Sequence, residues 1–467
     1  MNKEHKRMIR VFTAMCTLFV VLIVYLSYFQ VFTASTIKDS SYNKRLWIDE
    51  ENILRGMILD RNGKILAYSE KTEDSSVRHY NYGSLYSHII GYSYREYGKA
   101  GLEAEYNNEL LNLIDSSTFK EIKKIIEPNS EGNSLKLTLD HGLQEMANSL
   151  LQGKKGAIVV MNPQTGEVYA MVSQPTFNSS TLREDWKNIV ENPDSPFINR
   201  ATNGLYAPGS TFKVVTALAS LETPNVETKY DCSGSIKVDG YELRDYGGKA
   251  HGSVDLKEAL VKSCNSYFAQ MGLQVGKDKM GEVSEKFMLN NKIPFDLPVK
   301  NSSFPYKEGM GKTDLAAASI GQGKVLVTPL NMALIASAIG NGGNMVKPIL
   351  VKEIISSKGN VIKTNYTETL SIVTNGLVAN ELKDMMTEVV TRGTGTNASI
   401  KNIKVAGKTG TAENASGKTH AWFIGFAPAD NPKVAISVVL EEDGTTGGKT
   451  AAPIARKLMV ETLNKIQ

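Results

Sequence analysis

Four serine residues in this chain are followed three positions later by a lysine, a spacing that can supply a nucleophile together with its base. The pairs are Ser35–Lys38, Ser41–Lys44, Ser117–Lys120 and Ser210–Lys213. About two such matches are expected by chance at this length, so the sequence around each pair must separate them. The last pair is favoured, because Ser210 opens the segment STFKVVTALASL, which is apolar on nearly every face and predicts a buried helix.

The burial of Lys213 determines what this pair can do. At positions i and i+3 of a helix, the two side chains share one face. Desolvation disfavours the ammonium form and lowers the pKa of a lysine, so Lys213 is expected to be neutral. It could then take the proton of the Ser210 hydroxyl in place of the absent histidine. Taken alone, the pair has an ordinary alternative, a helix-capping serine and a lysine whose amine reaches solvent.

A second polar motif, Ser263-Cys264-Asn265, falls in the connector between two predicted helices. Such a connector can direct a hydroxyl and an amide into a cleft. Ser263 could relay a proton to a leaving amine, and Asn265 could hold a substrate amide. Taken alone, helix capping explains the motif better.

The third motif, Lys408-Thr409-Gly410-Thr411, lies on a predicted strand. Alternation places Lys408 and Gly410 on one face and the two threonines on the other. Gly410 would let a ligand backbone lie against the strand, and a charged Lys408 with the two hydroxyls would suit a carboxylate. The alternative is an ordinary polar edge strand.

The elements around these motifs predict an α+β domain, with an antiparallel sheet flanked by helices. Strands are predicted in the hairpin over 156–173 and over 405–413, 421–427 and 434–441, and helices over 211–222, 254–262, 266–275, 329–339 and 451–466. The segment Gly321-Gln322-Gly323 lacks a surrounding βαβ unit, so it predicts a turn rather than a dinucleotide site.

The first part of the chain predicts a smaller module. Arg55–Ala67 is typical of a hairpin with a type I′ turn at Asn62-Gly63. Gly98–Leu111 and Thr118–Ile126 predict helices, and a strand over 135–140 and a helix over 141–151 complete the region.

The N-terminus predicts a membrane anchor. Val11–Phe32 carries no charge, and about 20 apolar residues suffice to span a bilayer. Lys3, Lys6, Arg7 and Arg10 precede it, which places the N-terminus in the cytoplasm and the remainder outside the cell membrane. The alternative is a cleaved signal peptide, whose apolar core would be shorter, about 7–15 residues. We therefore expect a single-pass protein with a tail over 1–10, an anchor over 11–32, a membrane-proximal module over 33–150 and a catalytic domain over 151–467.

Composition excludes several classes of protein. Hydrophobic residues make up 41% of the 467 residues and charged residues 22%, which excludes gross disorder. A net charge of +4 is too small to indicate nucleic-acid binding. Three cysteines exclude a disulfide framework and a four-thiolate metal site. Cys232 and Cys264 could form a disulfide, but nothing in their spacing requires one.

The order Ser-x-x-Lys, Ser-x-Asn, Lys-Thr-Gly resembles the motif set of the penicillin-binding proteins and serine β-lactamases. Asn199–Lys213 is similar to the nucleophile segment of class B penicillin-binding proteins, and Arg55–Ala67 and Gly98–Leu111 resemble their membrane-proximal module. The stretch 33–150 is too short for the glycosyltransferase domain of the class A proteins. The resemblance therefore implies a monofunctional peptidoglycan D,D-transpeptidase.

The resemblance also implies roles for individual residues. Ser210 would attack the D-Ala-D-Ala carbonyl of one stem peptide, and an amine of a second stem peptide would resolve the acyl-enzyme. The implied catalytic residues are Ser210, Lys213, Ser263 and Lys408, and the implied substrate-binding residues are Asn265, Thr409, Gly410 and Thr411. The backbone N–H groups of Ser210 and Thr411 would form the oxyanion hole.

The resemblance further implies acylation by β-lactams and a polytopic glycan polymerase as membrane partner, and it implies that no metal or cofactor is required. Two alternatives stay open. A D,D-carboxypeptidase or β-lactamase would use the same serine with water as acceptor. A non-catalytic β-lactam sensor or scaffold is less favoured. A sensor would need a signalling domain inside the cell, and only ten residues precede Val11.

Overall fold

The computed structural model describes residues 3–30, 53–72, 76–113, 131–414 and 416–466. The predicted helix over Thr118–Ile126 and three of the Ser-x-x-Lys pairs, at Ser35, Ser41 and Ser117, lie outside the described residues. The helix Lys3–Tyr28 is exposed along its length and uncharged from Val11 onward, and within the described residues it is the one helix long and apolar enough to cross a membrane.

Strands of the described residues are numbered in chain order. They are β1 (Ile58–Leu59), β2 (Ile65–Lys71), β3 (Ser76–Tyr80), β4 (Tyr92–Tyr94), β5 (Gly98–Ala100), β6 (Ser134–Leu137), β7 (Gly156–Met161), β8 (Val168–Gln174), β9 (Tyr230–Cys232), β10 (Ser235–Val238), β11 (Tyr241–Arg244), β12 (Gly252–Val254), β13 (Asn344–Val346), β14 (Val351–Ile355), β15 (Val361–Thr364), β16 (Thr369–Ile372), β17 (Ala406–Ala412), β18 (His420–Ala427) and β19 (Val434–Leu440).

Helices after the anchor fall into short and long groups. The short ones are Ser87–Ile90, Leu102–Glu105, Asn107–Leu110 and Arg200–Asn203, with 3-10 turns at Gly209–Phe212, Tyr246–Gly248 and Thr396–Ala398. The longer ones are His141–Leu151, Leu182–Val190, Lys213–Leu221, Leu256–Lys262, Asn265–Val275, Lys277–Lys286, Lys312–Ser319, Pro329–Gly340, Gly376–Arg392 and Ala451–Lys465.

A five-stranded antiparallel sheet forms the centre of the larger domain, in the order β17-β18-β19-β7-β8. Its inner strands are buried on both faces, because helix Pro329–Gly340 packs on one side and helices His141–Leu151 and Ala451–Lys465 on the other. Strands covered on both faces are apolar at most positions, which is why β18 and β19 form nearly continuous apolar runs, interrupted at His420 and Ser437. The predicted α+β class and these elements are confirmed.

The membrane-proximal part is built on a second sheet with the order β15-β14-β6-β1-β2-β3. Strands β1, β2, β3 and β6 come from residues before 150, whereas β14 and β15 come from the later part of the chain. The Thr138 hydroxyl donates to the carbonyl of Ile349 at 2.9 Å, at the junction of the two parts. The two modules therefore share one sheet, which the sequence did not indicate.

Two local predictions in this module were wrong. The hairpin β1–β2 is present, but Gly63 has a positive φ in its turn while Asn62 does not, so the turn is not type I′. The Asp60 carboxylate accepts from the backbone N–H groups of Asn62 and Lys64 at 2.8 Å and shapes a longer loop. The helix predicted over Gly98–Leu111 begins as strand β5 and continues as two short helices.

A buried ion cluster holds the membrane-proximal module together. The Glu103 side chain is fully buried and pairs with Arg55 and with Arg78, whose Nε lies 2.7 Å from its carboxylate. Arg78 also donates to the carbonyl of Gly56 at 2.7 Å. The two guanidinium groups, one from the segment before β1 and one from β3, thus meet on one carboxylate.

Replacing Glu103 by alanine should lower stability by about 3–5 kcal/mol, because two buried guanidinium groups would lose their counter-charge. The matched control is Glu96→Ala, since Glu96 and Arg183 form an ion pair that is more than half exposed on both sides. Its loss should change stability by about 1 kcal/mol or less. Thermal unfolding of the two variants followed by circular dichroism measures the difference, and equal midpoints would contradict this account.

Candidate active site

The Ser210 hydroxyl sits in a tight turn that the rest of the domain holds in place. Gly209–Phe212 is a 3-10 turn that leads into helix Lys213–Leu221, so Ser210 precedes the α-helix that the sequence predicted to contain it. Gly209 has φ 54° and donates its N–H to the Gly321 carbonyl at 2.8 Å. A Cβ at Gly209 would lie 2.6 Å from the Thr411 carbonyl oxygen. The turn is therefore pressed between the Gly321 loop and strand β17.

Lys213 joins the first motif to the second. Its side chain is fully buried, and its Nζ donates to the Ser263 carbonyl at 2.7 Å and to Asn265 Oδ1 at 2.6 Å. A longer contact of 3.3 Å reaches Ser263 Oγ. Within the described part of the chain the Ser210 hydroxyl makes no hydrogen bond, so the direct Ser210–Lys213 bond that the spacing suggested is not formed.

Lys408 joins the third motif to the same point. Its side chain is also fully buried, and its Nζ donates to Ser263 Oγ and to the Thr409 carbonyl, each at 3.0 Å. Ser263 Oγ thus lies within hydrogen-bonding distance of both lysine amines and accepts from Lys408.

Ser263 holds this position with an uncommon backbone. It ends helix Leu256–Lys262 in the left-handed region, at φ 58° and ψ 41°, where residues other than glycine are uncommon. Such conformations persist where the surrounding structure requires them. Here the conformation turns both the carbonyl and the hydroxyl of Ser263 toward Lys213.

Burial lowers the pKa of both lysines. The pKa of Lys213 falls to about 7, because desolvation outweighs the opposing influence of Cys264 and Asp245. Desolvation and the nearby Lys213 ammonium lower the pKa of Lys408 well below its ordinary value. The prediction for Lys213 is thus confirmed in direction, whereas the prediction that Lys408 stays charged fails for the unliganded site, since it too is fully buried.

Asn265 is fixed from three sides. Its side-chain oxygen accepts from Lys213, and its Nδ2 donates to the Arg244 carbonyl at 2.9 Å. Its backbone N–H donates to the Asp245 carboxylate at 2.5 Å. Both ends of the amide predicted to hold substrate are therefore engaged within the protein. Asp245 was not predicted as a site residue, because it belongs to no motif and lies beside Asn265 only in the folded chain.

Strand β17 presents the third motif. Thr409 Oγ1 lies 2.6 Å from Thr394 Oγ1, and Thr411 is half-buried. A Cβ at Gly410 would lie 2.8 Å from the Pro208 carbonyl oxygen. The open space that was predicted for a ligand backbone beside Gly410 is thus filled by the segment that carries Ser210.

The sequence predicted a turn at Gly321 but indicated no function for it. It follows helix Lys312–Ser319, and a Cβ at Gly321 would lie 2.1 Å from the Gly209 carbonyl oxygen. The turn is confirmed, and its small residue lets the Ser210 segment approach.

The site contains a serine in a tight turn and two buried lysines whose amines lie beside a second serine. Such an arrangement can carry out acyl transfer with a lysine as the base, and none of these residues is a histidine or a metal ligand.

Comparison with known proteins agrees with this interpretation of the site. Residues 156–460 match the model of the penicillin binding protein transpeptidase domain, and residues 55–135 match that of the penicillin binding protein A dimerisation domain.

Relatives cover almost the whole chain. The peptidoglycan D,D-transpeptidase PbpA of Mycolicibacterium smegmatis is 31% identical, over 98% of each chain. A D,D-transpeptidase domain structure from Eggerthella lenta has a TM-score of 0.81 and 33% identity, covering 89% of this chain and 99% of that one. The imipenem acyl-enzyme of Mycobacterium tuberculosis penicillin-binding protein A has a TM-score of 0.82 and 31% identity, covering 89% and 100%. The chain therefore belongs to the class B penicillin-binding proteins.

The two lysines should respond differently to replacement by arginine, which keeps its charge and cannot act as a base. Lys213→Arg should reduce acylation by one β-lactam by ~100–10,000-fold, the usual cost of losing a positioned base. Lys408→Arg should retain measurable acylation and mainly weaken capture of the β-lactam. Stopped-flow acylation rates of the two variants decide the point, and equal rates would overturn the division of roles.

Acylation of the wild-type chain should increase with pH through about 7, since only neutral Lys213 can take a proton. Below that pH the rate should fall about tenfold per pH unit, as the neutral fraction falls. The groups that influence Lys213 are Lys408, Asp245 and Cys264. Acylation rates with one β-lactam between pH 5.5 and 8.5 provide the measurement, and a flat profile would contradict a lysine base.

Proposed function

We propose that this chain is a peptidoglycan D,D-transpeptidase that works through a Ser210 acyl-enzyme and is acylated by β-lactams. The observation that carries the proposal is the convergence of Lys213 and Lys408 on Ser263 Oγ beside the Ser210 turn. The relatives' names and their β-lactam acyl-enzyme structures support both the substrate class and the inhibitor class.

Acylation begins with attack of Ser210 Oγ on the carbonyl carbon of the terminal D-Ala-D-Ala bond. The two side chains are not hydrogen-bonded in the structure, so one of them must move before neutral Lys213 takes the hydroxyl proton. Once protonated, Lys213 could donate to Ser263 Oγ, 3.3 Å away, and the Ser263 hydroxyl would pass its own proton to the leaving amine. D-Ala then departs with that proton, and the acyl group stays on Ser210.

Two further groups would stabilise the reacting substrate. The backbone N–H groups of Ser210 and Thr411 would bind the developing oxyanion, which is typically worth several kcal/mol. The proposal is supported by the packing of Gly209 against Thr411, which brings the two segments together. Lys408 with the hydroxyls of Thr409 and Thr411 would receive the substrate carboxylate.

The second half of the reaction delivers the acyl group to an amine of another stem peptide. The amine attacks the ester carbonyl carbon and gives up one proton to neutral Lys213, the bond to Ser210 Oγ breaks, and Lys213 passes that proton to the Ser210 oxygen. The choice of an amine over water separates a transpeptidase from a carboxypeptidase, and it depends on the shape of the cleft.

We further propose that helix Lys3–Tyr28 anchors the chain in the cell membrane, with the N-terminus in the cytoplasm and the catalytic domain outside. Residues 33–150 would form the membrane-proximal module and 151–467 the transpeptidase domain, which agrees with the two family matches. Edman sequencing that finds a mature N-terminus near Ala34 would contradict an uncleaved anchor.

A polytopic glycan polymerase is the proposed membrane partner, because a monofunctional transpeptidase needs glycan strands that another enzyme makes. Detergent extraction and affinity purification of the full-length chain test this partnership. If no polytopic membrane protein is enriched with this chain relative to a control bait, the proposed partnership is contradicted.

The decisive experiment compares two serines in identical Ser-Thr-Phe-Lys tetrapeptides. Ser210→Ala should abolish covalent labelling by a fluorescent penicillin, whereas Ser117→Ala should leave it intact. Labelling that survives in the Ser210 variant would refute the nucleophile assignment. With paired stem peptides, mass spectrometry should detect the cross-linked dimer in the wild type, and a product made only of shortened monomer would indicate a carboxypeptidase.

A further inference from the structure

An exposed carboxylate lies just past the third motif. Glu413 directly follows strand β17. Successive side chains along a strand point to opposite faces, so the two-residue steps from Thr409 to Thr411 and on to Glu413 put these three side chains on one face. Lys408 and Gly410 belong to the opposite face, which packs against the helical layer. Glu413 therefore extends the row of side chains to which the proposed function assigns the substrate.

The other carboxylates at this end of the central sheet already have basic partners. The ion pairs are Glu441–Arg200 at 2.7 Å, Glu442–Lys155 at 3.6 Å and Asp443–Lys154 at 2.9 Å. Glu413, in contrast, makes no side-chain hydrogen bond or ion pair with any residue that the structure describes. Its negative charge is thus available to a ligand.

The proposed function determines which part of the donor peptide lies beside Glu413. The terminal carboxylate of the donor would lie at Lys408 and Thr409, and its scissile carbonyl oxygen at the backbone N–H of Thr411. Moving forward along β17 thus means moving backward along the donor, from its C-terminus towards its N-terminus. The donor therefore runs antiparallel to β17, and the residue that precedes D-Ala-D-Ala lies beyond Thr411, towards Glu413.

The lengths of extended chains agree with this placement. Two residues of a strand cover about 6–7 Å, so Glu413 lies about that far beyond Thr411. One residue of an extended donor covers about 3.3 Å, which brings the backbone of the residue before D-Ala-D-Ala to within about one residue of Glu413. A side chain of several methylene groups can cover the remaining distance to the carboxylate.

The cross-linking reaction itself requires an amine in the donor. Donor and acceptor are copies of one kind of stem peptide, so the amine that attacks from one copy is also present in the other. In the donor this amine does not react, and an alkyl amine exposed to water is protonated near neutral pH. The donor thus carries an ammonium group that an unpaired carboxylate can bind.

We propose that Glu413 binds the side-chain ammonium group of the donor stem peptide, on the residue that precedes D-Ala-D-Ala. This assignment rests on the proposed transpeptidase function and names a substrate feature that this function leaves open. Glu413 is then a specificity-determining residue, because it contacts a part of the donor at which no bond forms or breaks. The ion pair aligns the donor along β17 before Ser210 attacks.

Attraction of the acceptor amine is the competing role for Glu413. The geometry of the reaction disfavours it, because the acceptor amine must attack the same carbonyl carbon that the amine of D-Ala has just left. It therefore takes the place of the departed D-Ala, which lies on the Lys408 side of Thr411. Glu413 lies on the other side of Thr411, beside the acyl part of the donor.

Release of D-Ala from two synthetic donor peptides tests the assignment. Both peptides end in D-Ala-D-Ala, and they differ only in whether the side-chain amine of the preceding residue is free or acetylated. The value of kcat/KM for D-Ala release covers only the steps up to the departure of D-Ala, so binding of the acceptor does not enter it. The full-length wild-type chain in detergent should favour the free amine by about 3–10-fold, and Glu413→Gln should lower this ratio to about 1.

The matched control is Glu442→Gln, which removes a carboxylate at the same end of the sheet that is already paired with Lys155. It should keep the preference of the wild type. Glu413→Asp should keep part of the preference, since it retains the charge on a shorter side chain. Each ratio compares two peptides on one preparation, so a loss of active protein in a variant cancels.

Ionic strength provides a second measurement on the wild type alone. Raising the salt concentration from about 0.05 M to 0.5 M should reduce the preference for the free amine, because an exposed ion pair is screened. A preference that does not change with salt overturns the assignment of an ion pair.

The outcomes separate this inference from the proposed function. Equal kcat/KM values for the two peptides in the wild type, or a preference that survives in Glu413→Gln, overturn the inference alone. Loss of the preference in Glu442→Gln as well reveals a general effect of charge and also overturns it. A preference seen only in transfer to an acceptor, and not in D-Ala release, overturns the assignment to the donor. If neither peptide releases D-Ala although penicillin acylates Ser210, the proposed substrate is wrong and the inference falls with it.

Discussion

The active site depends on the burial of two lysine amines around one serine oxygen. Lys213 comes from the helical layer and Lys408 from the edge of the central sheet, and Ser263 Oγ lies within hydrogen-bonding distance of both. Neither lysine has a carboxylate within hydrogen-bonding distance in the described residues, so each relies on oxygen acceptors that are neutral. A charged ammonium group is unfavourable in such a buried place, and the pKa values of Lys213 and Lys408 are therefore lowered. The tight turn of Ser210, the left-handed Ser263 and the fixed amide of Asn265 all serve to keep this geometry.

Mutual repulsion links the two lysines to the arrival of substrate. A carboxylate bound beside Lys408 favours its charged form, and that charge further disfavours a proton on Lys213. In the proposed mechanism, binding of the substrate carboxylate at Lys408 and deprotonation of Lys213 are therefore coupled. Because the coupling is reciprocal, a protonated Lys213 also weakens the hold of Lys408 on the carboxylate.

The sequence predicted most of the central domain, because long apolar runs mark the buried strands β18 and β19 and helix Pro329–Gly340. The structure brings together Lys213, Ser263, Asn265 and Lys408 as the motifs indicated, yet their contacts could not be predicted. Ser263 Oγ is shared by residues 50 and 145 positions away. Asp245 carries no local signal at all. The turn at Asn62 was misjudged for a similar reason, since the Asp60 carboxylate, rather than backbone preference alone, shapes it.

The sheet shared by the two modules sets the order in which the chain can fold. Strand β6 pairs with β14, and the Thr138 hydroxyl meets the Leu350 carbonyl 212 residues later. The central sheet has the same property, because β7 pairs with β19 near the end of the chain. Synthesis proceeds from the N-terminus, so β6 and β7 emerge long before their partners and expose unpaired edges in the meantime. Neither sheet can close until most of the chain has been synthesised, and a nascent chain that stalls before that point presents those edges to proteases and to other nascent chains.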